Sequence, residues 1–398
     1  MDTTPSEIEE PDPPNEWVVL KALCRGVTTP AERDRVRDVF AGARPDLPRL
    51  VEHAMRHRML PMLALVLADE DPRTPVPPQL RGELLGALLA NRRKVHVLAR
   101  AAAEATTALQ AAGVRVAATK GVALETAVYG GLGARKMMDA DLMIDPADRA
   151  AAAAVLRELG YRDGAYDWRA HRIDDLPPSR RAMYRLTRDH LPHFMRLEDT
   201  RGGVLVIDVA TSVTWDLSSW QVPMTTVLAE LDAFVPEGAG AAVPTLRPEW
   251  LFLFTVLHLY REAWFVNTVS AGKDMLYKFG DLLALWRAGA DRLRTSVPPA
   301  VAENGLAEPV GWVLTHTDRL FGSAFVPELG LAGSVSEELL ASGEAPGGRR
   351  VRWHGTMSER LLRSDPAATF GTASDPAATF GTASRAAVSS PAAPSGAA

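Results

Sequence analysis

Gly203-Val204-Leu205-Val206-Ile207-Asp208-Val209-Ala210 is the strongest strand signal in the chain, and it carries a charge. An unbroken aliphatic run of this length predicts a strand packed on both faces. On a period of two, Asp208 shares a face with Val204 and Val206. A carboxylate ending an otherwise apolar face is costly unless it is hydrated, paired or bound to a cation. The strand must therefore enter a sheet whose far end admits one of these.

A second segment raises the same demand. Lys136 to Ile144 is predicted as a strand on which Asp139 and Asp141 share a face with Met143, while Ala140, Leu142 and Ile144 point the other way. Two carboxylates about 7 Å apart along a strand repel, and a divalent cation relieves the repulsion. Spacing alone does not single them out, because Asp69-Glu70-Asp71 repeats it in a Pro-flanked loop where solvation is expected. If the two strands lie side by side, Asp139, Asp141 and Asp208 converge into an all-oxygen site suited to Mg²⁺ rather than zinc.

Around these strands the apolar period is helical. Residues 1–15 read as a disordered leader and 16–112 as an N-terminal helical region, broken at Pro72 to Pro78 and resuming from Gln79 to Ala112. Residues 113–245 form the expected sheet core. A strand at Val114 to Ala118, a helix at Val122 to Tyr129, a turn at Gly130, Gly131 and Gly133, the Asp139 strand and a helix at Pro146 to Leu159 follow in order. Residues 162–200, rich in Arg and His, read as loop with short elements, and 246–345 as a C-terminal helical region. Residues 364–383 are two copies of Ser-Asp-Pro-Ala-Ala-Thr-Phe-Gly-Thr-Ala, so about 355–398 is expected to be a disordered tail. The expected fold class is α+β, a small mixed sheet flanked by two helical regions.

Composition narrows the setting. Cys24 is the single cysteine, which excludes an internal disulfide and a Cys-based zinc cluster and fits a reducing, cytoplasmic location. No apolar run approaches the roughly 20 residues of a membrane span. A net charge of −5 and a pI near 6.0 disfavour nucleic acid as partner, with the Arg-rich 169–188 stretch standing against that trend.

The order strand, Lys120-Gly121, helix, Arg135, Asp139-Ala140-Asp141-Leu142, Pro-started helix ending Leu159-Gly160-Tyr161, and strand with Asp208 resembles the uncharacterised bacterial nucleotidyltransferase family of the DNA polymerase β-like nucleotidyltransferase superfamily. It extends to His57-Arg58-Met59-Leu60-Pro61 and the His258 helix, roughly residues 16–290. The resemblance implies a nucleotidyltransferase core in which Asp139, Asp141 and Asp208 are catalytic and hold Mg²⁺, or Mn²⁺ in its place. It implies that Lys120, Gly121 and Arg135 meet the triphosphate of an NTP, ATP first among them. The implied reaction moves a nucleoside monophosphate to a hydroxyl of a small molecule, peptide or protein and releases pyrophosphate, with Asp208 as base.

Two departures accompany it. Ala210 stands where the family often has His, and Lys120-Gly121 replaces the superfamily's Gly-Ser turn. They motivate the alternative of a nucleotide-binding protein that does not catalyse transfer. A glycosyltransferase using Asp-x-Asp would want alternating strands and helices ahead of the motif, where residues 16–112 are helical. Among the other polar candidates, Gly130, Gly131 and Gly133 are expected to form a turn, and His190 and His193 to be loop histidines without a ligand role. His258 reads as a core or cleft histidine, Lys273, Lys278 and Asp281 as a solvated helix face, and Trp250, Trp264 and Trp286 as core.

Overall fold

The computed structural model describes residues 13–198 and 203–370. Five helices come first: α1 (Asn15–Arg25), α2 (Pro30–Ala43), α3 (Leu47–Arg56), α4 (Leu60–Leu67) and α5 (Pro78–Ala111). Thr29 and Glu32 close α2 with a capping box, Asp46 caps α3 by accepting from the Arg49 N–H, and proline occupies the first turn of α2 to α5. Leu84, Leu88, Val95, Leu98 and Leu109 lie along one side of α5 and are buried.

The sheet follows. Its elements are β1 (Val116–Thr119), α6 (Lys120–Ala127), β2 (Ala140–Ile144), α7 (Arg149–Glu158), β3 (Arg162–Asp167), β4 (Arg172–Asp175), α8 (Pro178–Leu186), β5 (Phe194–Leu197), β6 (Val204–Ala210), α9 (Met224–Val227), β7 (Leu231–Phe234) and β8 (Val243–Leu246). The strands form one mixed sheet of eight, in the order β4-β3-β5-β6-β2-β1-β8-β7. It is larger than the small sheet expected, because β3, β4 and β5 come from a stretch that reads as mostly loop. Strands such as Arg172–Asp175 lack apolar alternation, and β4 is held at the sheet edge by its ladder with β3. The second strand is also shorter than expected, starting at Ala140, so that Asp139 stands just before it.

The register of β2 positions everything that follows. All five of its residues are buried. It runs antiparallel to β1 and parallel to β6, which sets Asp141 beside Thr119 on one side and Asp208 on the other. Neighbouring strands are about 4.8 Å apart, so these two carboxylates are brought together by the ladder itself.

The C-terminal helices follow: α10 (Pro248–Trp264), α11 (Val266–Ser270), α12 (Leu276–Glu303, bent at Gly289), α13 (Ala307–Phe321), α14 (Phe325–Glu328) and α15 (Glu337–Leu340), with α10 packed on β8 and on α12 and α13. A hairpin of β9 (Ser342–Ala345) and β10 (Arg349–Arg352) comes next. Among the described residues no helix is long and apolar enough to cross a membrane.

The stretch expected to be a tail from about residue 355 is ordered where it is described. It holds α16 (Met357–Leu362) and a tight turn at Pro366–Thr369. The second decapeptide copy, and residues 1–12 of the expected leader, lie outside the described residues. The order comes from contacts that local composition does not encode. Arg360 is fully buried and donates to Asp274 Oδ2 at 3.0 Å and to the Ala263 carbonyl, while Trp353 and Phe370, the latter from the first decapeptide, flank its guanidinium. Removing one partner of a buried ion pair leaves the other uncompensated. Arg360→Ala is therefore expected to lower stability by about 3 kcal/mol in urea unfolding, and adding Asp274→Ala should restore part of the loss.

Candidate active site

The site starts where β1 ends. Lys120 follows Thr119 directly and adopts a left-handed backbone (φ 37°), a conformation that costs a non-glycine residue about 1 kcal/mol. That turn swings its ammonium back onto β2, where Nζ lies 2.8 Å from Asp141 Oδ1 and 5.2 Å from the Phe254 ring centroid. Gly121 lets the helix begin against the same carboxylate. Its N–H is 3.4 Å from Asp141 Oδ2, and a Cβ there would meet Met137 Sδ at 3.3 Å and Asp141 Oδ2 at 3.4 Å.

The glycine turn that follows is built around its own anion. Glu125, fully buried on α6, accepts from the N–H groups of Gly133 (2.6 Å), Ala134 (3.3 Å) and Arg135 (2.8 Å). Burial lifts its carboxyl to about 7, against the pull of those three donors. Asn91 of α5 binds the Gly133 and Arg135 carbonyls at 2.8 and 2.9 Å. The amides that would cradle a phosphate are thus already engaged. Arg135, expected at the triphosphate, turns its Nε to Asp281 of α12 at 3.0 Å, and Tyr129 donates to the same carboxylate at 2.9 Å. Its guanidinium also lies over the Tyr277 ring.

Asp208 gathers residues that the spacing of the sequence did not recommend. His193 Nε2 stands 3.7 Å from Asp208 Oδ1, and His190 Nε2 stands 4.0 Å from Oδ2. The 189–191 segment runs beside the end of β6: His190 bridges Ala210, the Leu191 N–H donates to the Val209 carbonyl, and the Thr211 N–H to the Asp189 carbonyl. Buried Asp189 fixes the ring, with Oδ2 3.1 Å from His190 Nδ1 and 3.2 Å from Arg261 Nη1. The fold thus sets an imidazole next to position 210, where the chain itself has alanine. Arg149 holds the segment from outside, donating to the carbonyls of Thr187, Arg188 and His190 and to Thr211 Oγ1 at 2.9–3.1 Å.

The fourth wall is α10. Phe254, His258 and Glu262 recur every four residues on one helical face, and Glu262 Oε2 lies 3.3 Å from His258 Nε2 and takes an ion pair from Lys278. Lys278 also donates to the Lys273 carbonyl at 2.8 Å. It is buried, not the solvated helix face expected from its sequence neighbours. Burial holds His258 down to about 4, so it is neutral near pH 7.

Charge balance explains the arrangement. Burial and the charges of Asp141 and Asp208 push Asp139 up to about 6. Burial would raise Asp208 as well, but His190, His193, Lys120 and His258 outweigh it and hold its carboxyl below the usual range. Burial would lower Lys120, and Asp141, Asp208 and Asp139 together hold it above its ordinary value. Of the six residues expected at the site, Asp139, Asp141, Asp208 and Lys120 form one charge-coupled group, and Gly121 lies against Asp141. Arg135 adjoins them, facing Asp281.

Comparison with known families covers the same region. The profile of an uncharacterised nucleotidyltransferase family matches residues 44–322, which include every residue of the group. The chain belongs to that family. No curated protein matches it. The family match begins just after α2 and ends just after α13, so α1, α2 and everything from α14 onward lie outside it.

Two outcomes follow. Because Asp139 is raised from about 3.8 when unfolded to about 6 when folded, its ionisation opposes folding: the penalty is absent below about pH 4 and complete above about pH 6. Asp139→Asn should therefore raise the unfolding temperature at about pH 8 and leave it unchanged below about pH 4; equal shifts at both would contradict the coupling. Arg149→Ala should cost about 2 kcal/mol and speed amide exchange at Leu191 and Thr211, whose N–H groups carry the ladder to β6.

Proposed function

We propose that the protein transfers a nucleoside monophosphate from an NTP, ATP first, to a hydroxyl acceptor and releases pyrophosphate, using Asp139, Asp141 and Asp208. The observation that carries this reading is the register match of Asp141 with Asp208 on adjacent parallel strands, with Lys120 paired to the first and family membership behind both.

The residues suit a hard cation. Three carboxylates share a buried neighbourhood, and Asp208 Oδ1 is buried without a hydrogen-bond partner. Among the described residues no set of three His, Cys, Asp or Glu is closed around a point. Asp141 is paired with Lys120, and Asp208 faces the two histidines. Asp139, Asp141 and Asp208 would hold Mg²⁺, or Mn²⁺ in its place, and the ion would supply charge neutralisation at the phosphates and a lower pKa for the acceptor hydroxyl.

The chain's own groups account for the rest. Lys120 is a fixed cation at the start of α6 and meets the charge that develops on the departing pyrophosphate. Gly121 permits close approach of backbone to phosphate. Asp208, whose carboxyl the groups around it hold below the usual range, takes the proton of the acceptor hydroxyl. The hydroxyl oxygen bonds to the α-phosphorus as the bond from that phosphorus to the bridging oxygen breaks, and the pair leaves on pyrophosphate. Asp189 keeps His190 turned toward this carboxylate, which bears on the alternative of a binding protein without catalysis: the imidazole missing at position 210 is provided from the neighbouring segment.

The test is pyrophosphate release from each NTP with Mg²⁺ or Mn²⁺ and a cell extract as the acceptor source. Asp139→Ala/Asp141→Ala should reduce it by on the order of 10³-fold, and Lys120→Ala by about 10²-fold. Unchanged release from the double variant with all four nucleotides would remove the catalytic reading. Nucleotide binding with no release even by the wild type would favour the alternative.

A further inference from the structure

A basic stretch borders one rim of the site. Residues 157–188 contain eight arginines against five acids, in a chain of net charge −5. From Pro177 to Arg188 there are four arginines and no acid. Among the described residues Arg180, Arg185 and Arg188 take part in no ion pair, and Arg181, Arg185 and Arg188 are exposed. The helix they sit on or beside, α8, buries none of its residues, so core packing does not explain its composition.

Its two ends lead to two different places. At one end Arg181 lines an open groove of about 650 Å³ with Arg157, Tyr161 and Arg162. Asp163 and Asp175 also line it, paired with Arg157 at 3.6 Å and Arg162 at 3.2 Å. At the other end Arg149 ties the Thr187, Arg188 and His190 carbonyls to α7, and His190 faces Asp208. Tyr184, one turn beyond Arg181, has its hydroxyl pushed up by burial and by the charge of Asp208. Beyond the groove, Trp168 is 71% exposed at the β3–β4 tip, with Arg169 over its ring at 5.2 Å.

We propose that this rim, from Trp168 through the Arg157–Arg162–Arg181 groove and along α8, is a track for a single-stranded nucleic acid whose terminal hydroxyl is the acceptor at Asp208. A backbone of phosphates follows a line of arginines, and an exposed indole gives a base a stacking surface at no steric cost. Duplex has its bases stacked internally and does not use such a platform. A phosphorylated peptide would need one or two arginines, not a track running from a distant indole to the carboxylates. The acceptor assignment rests on the nucleotidyltransferase reading above; the binding surface does not.

Fluorescence anisotropy with a labelled single-stranded RNA of about 12 nucleotides tests it, using the full chain without nucleotide. Wild type should bind with an affinity that falls with salt. Arg180→Gln/Arg181→Gln/Arg185→Gln should weaken binding at least about tenfold and reduce the salt slope by about two. The matching Lys variant, which keeps the charges on an exposed helix, should regain most of the affinity. Trp168→Ala should weaken binding a few-fold with the slope unchanged. Absence of wild-type binding at low salt, equal binding by the Gln variant, or binding of anionic vesicles in preference to RNA would overturn the track. Binding that persists in Asp139→Asn/Asp141→Asn, with no pyrophosphate released by wild type on that RNA, would instead retain the track and defeat its acceptor role.

Discussion

Three carboxylates in one buried neighbourhood are the constraint that the rest of the structure answers. Asp141 and Asp208 are placed side by side by the β2–β6 ladder, and Asp139 enters one residue before it. Mutual repulsion would disfavour such an arrangement if nothing opposed it. The opposition comes from Lys120 at the start of α6, and the imidazoles of His190 and His193, from the segment beside β6, face Asp208. No one element carries both the acids and the groups that face them. The sheet, the loop and the helical cover must therefore be formed together for the site to exist.

The loops that flank β2 and β6 are fixed by buried polar groups. Glu125 and Asn91 satisfy both the amides and the carbonyls of the 133–135 turn, while Arg149 takes the carbonyls of Thr187, Arg188 and His190 and Asp189 holds the His190 ring. Buried backbone groups without partners are expensive, so each such side chain fixes a loop conformation as firmly as a strand would. The pattern gives the two flanks of β2 and β6 little freedom to drift from the carboxylates. It also shows why the glycine turn is structural: its donors serve Glu125.

Much of this is legible in the order of residues alone. The strands of Asp141 and Asp208 announce themselves because each has an aliphatic run in which a charge is anomalous, and Lys120-Gly121 stands out by its place between a strand and a helix. What stays hidden depends on distance along the chain. His190 and His193 sit in a loop without helical spacing, and only the pairing of His190 with Ala210 brings them to Asp208. Lys278 looks like surface until Glu262, sixteen residues earlier, is found against it. Strands β3 and β4 are too charged to show a period of two, β5 is only four residues long, and α16 owes its order to Asp274 in another region of the sequence.

The alanine at position 210 is informative for the same reason. A sheet position is served by its own side chain or by that of the residue paired with it, since the two lie on the same face. His190 is the residue bridged to Ala210, and Asp189 and Arg149 exist in the structure as its supports, one at the ring and one at the carbonyl. The imidazole of His190 therefore stands on the face that Ala210 leaves open, 4.0 Å from Asp208, with a carboxylate at its ring and a guanidinium at its carbonyl.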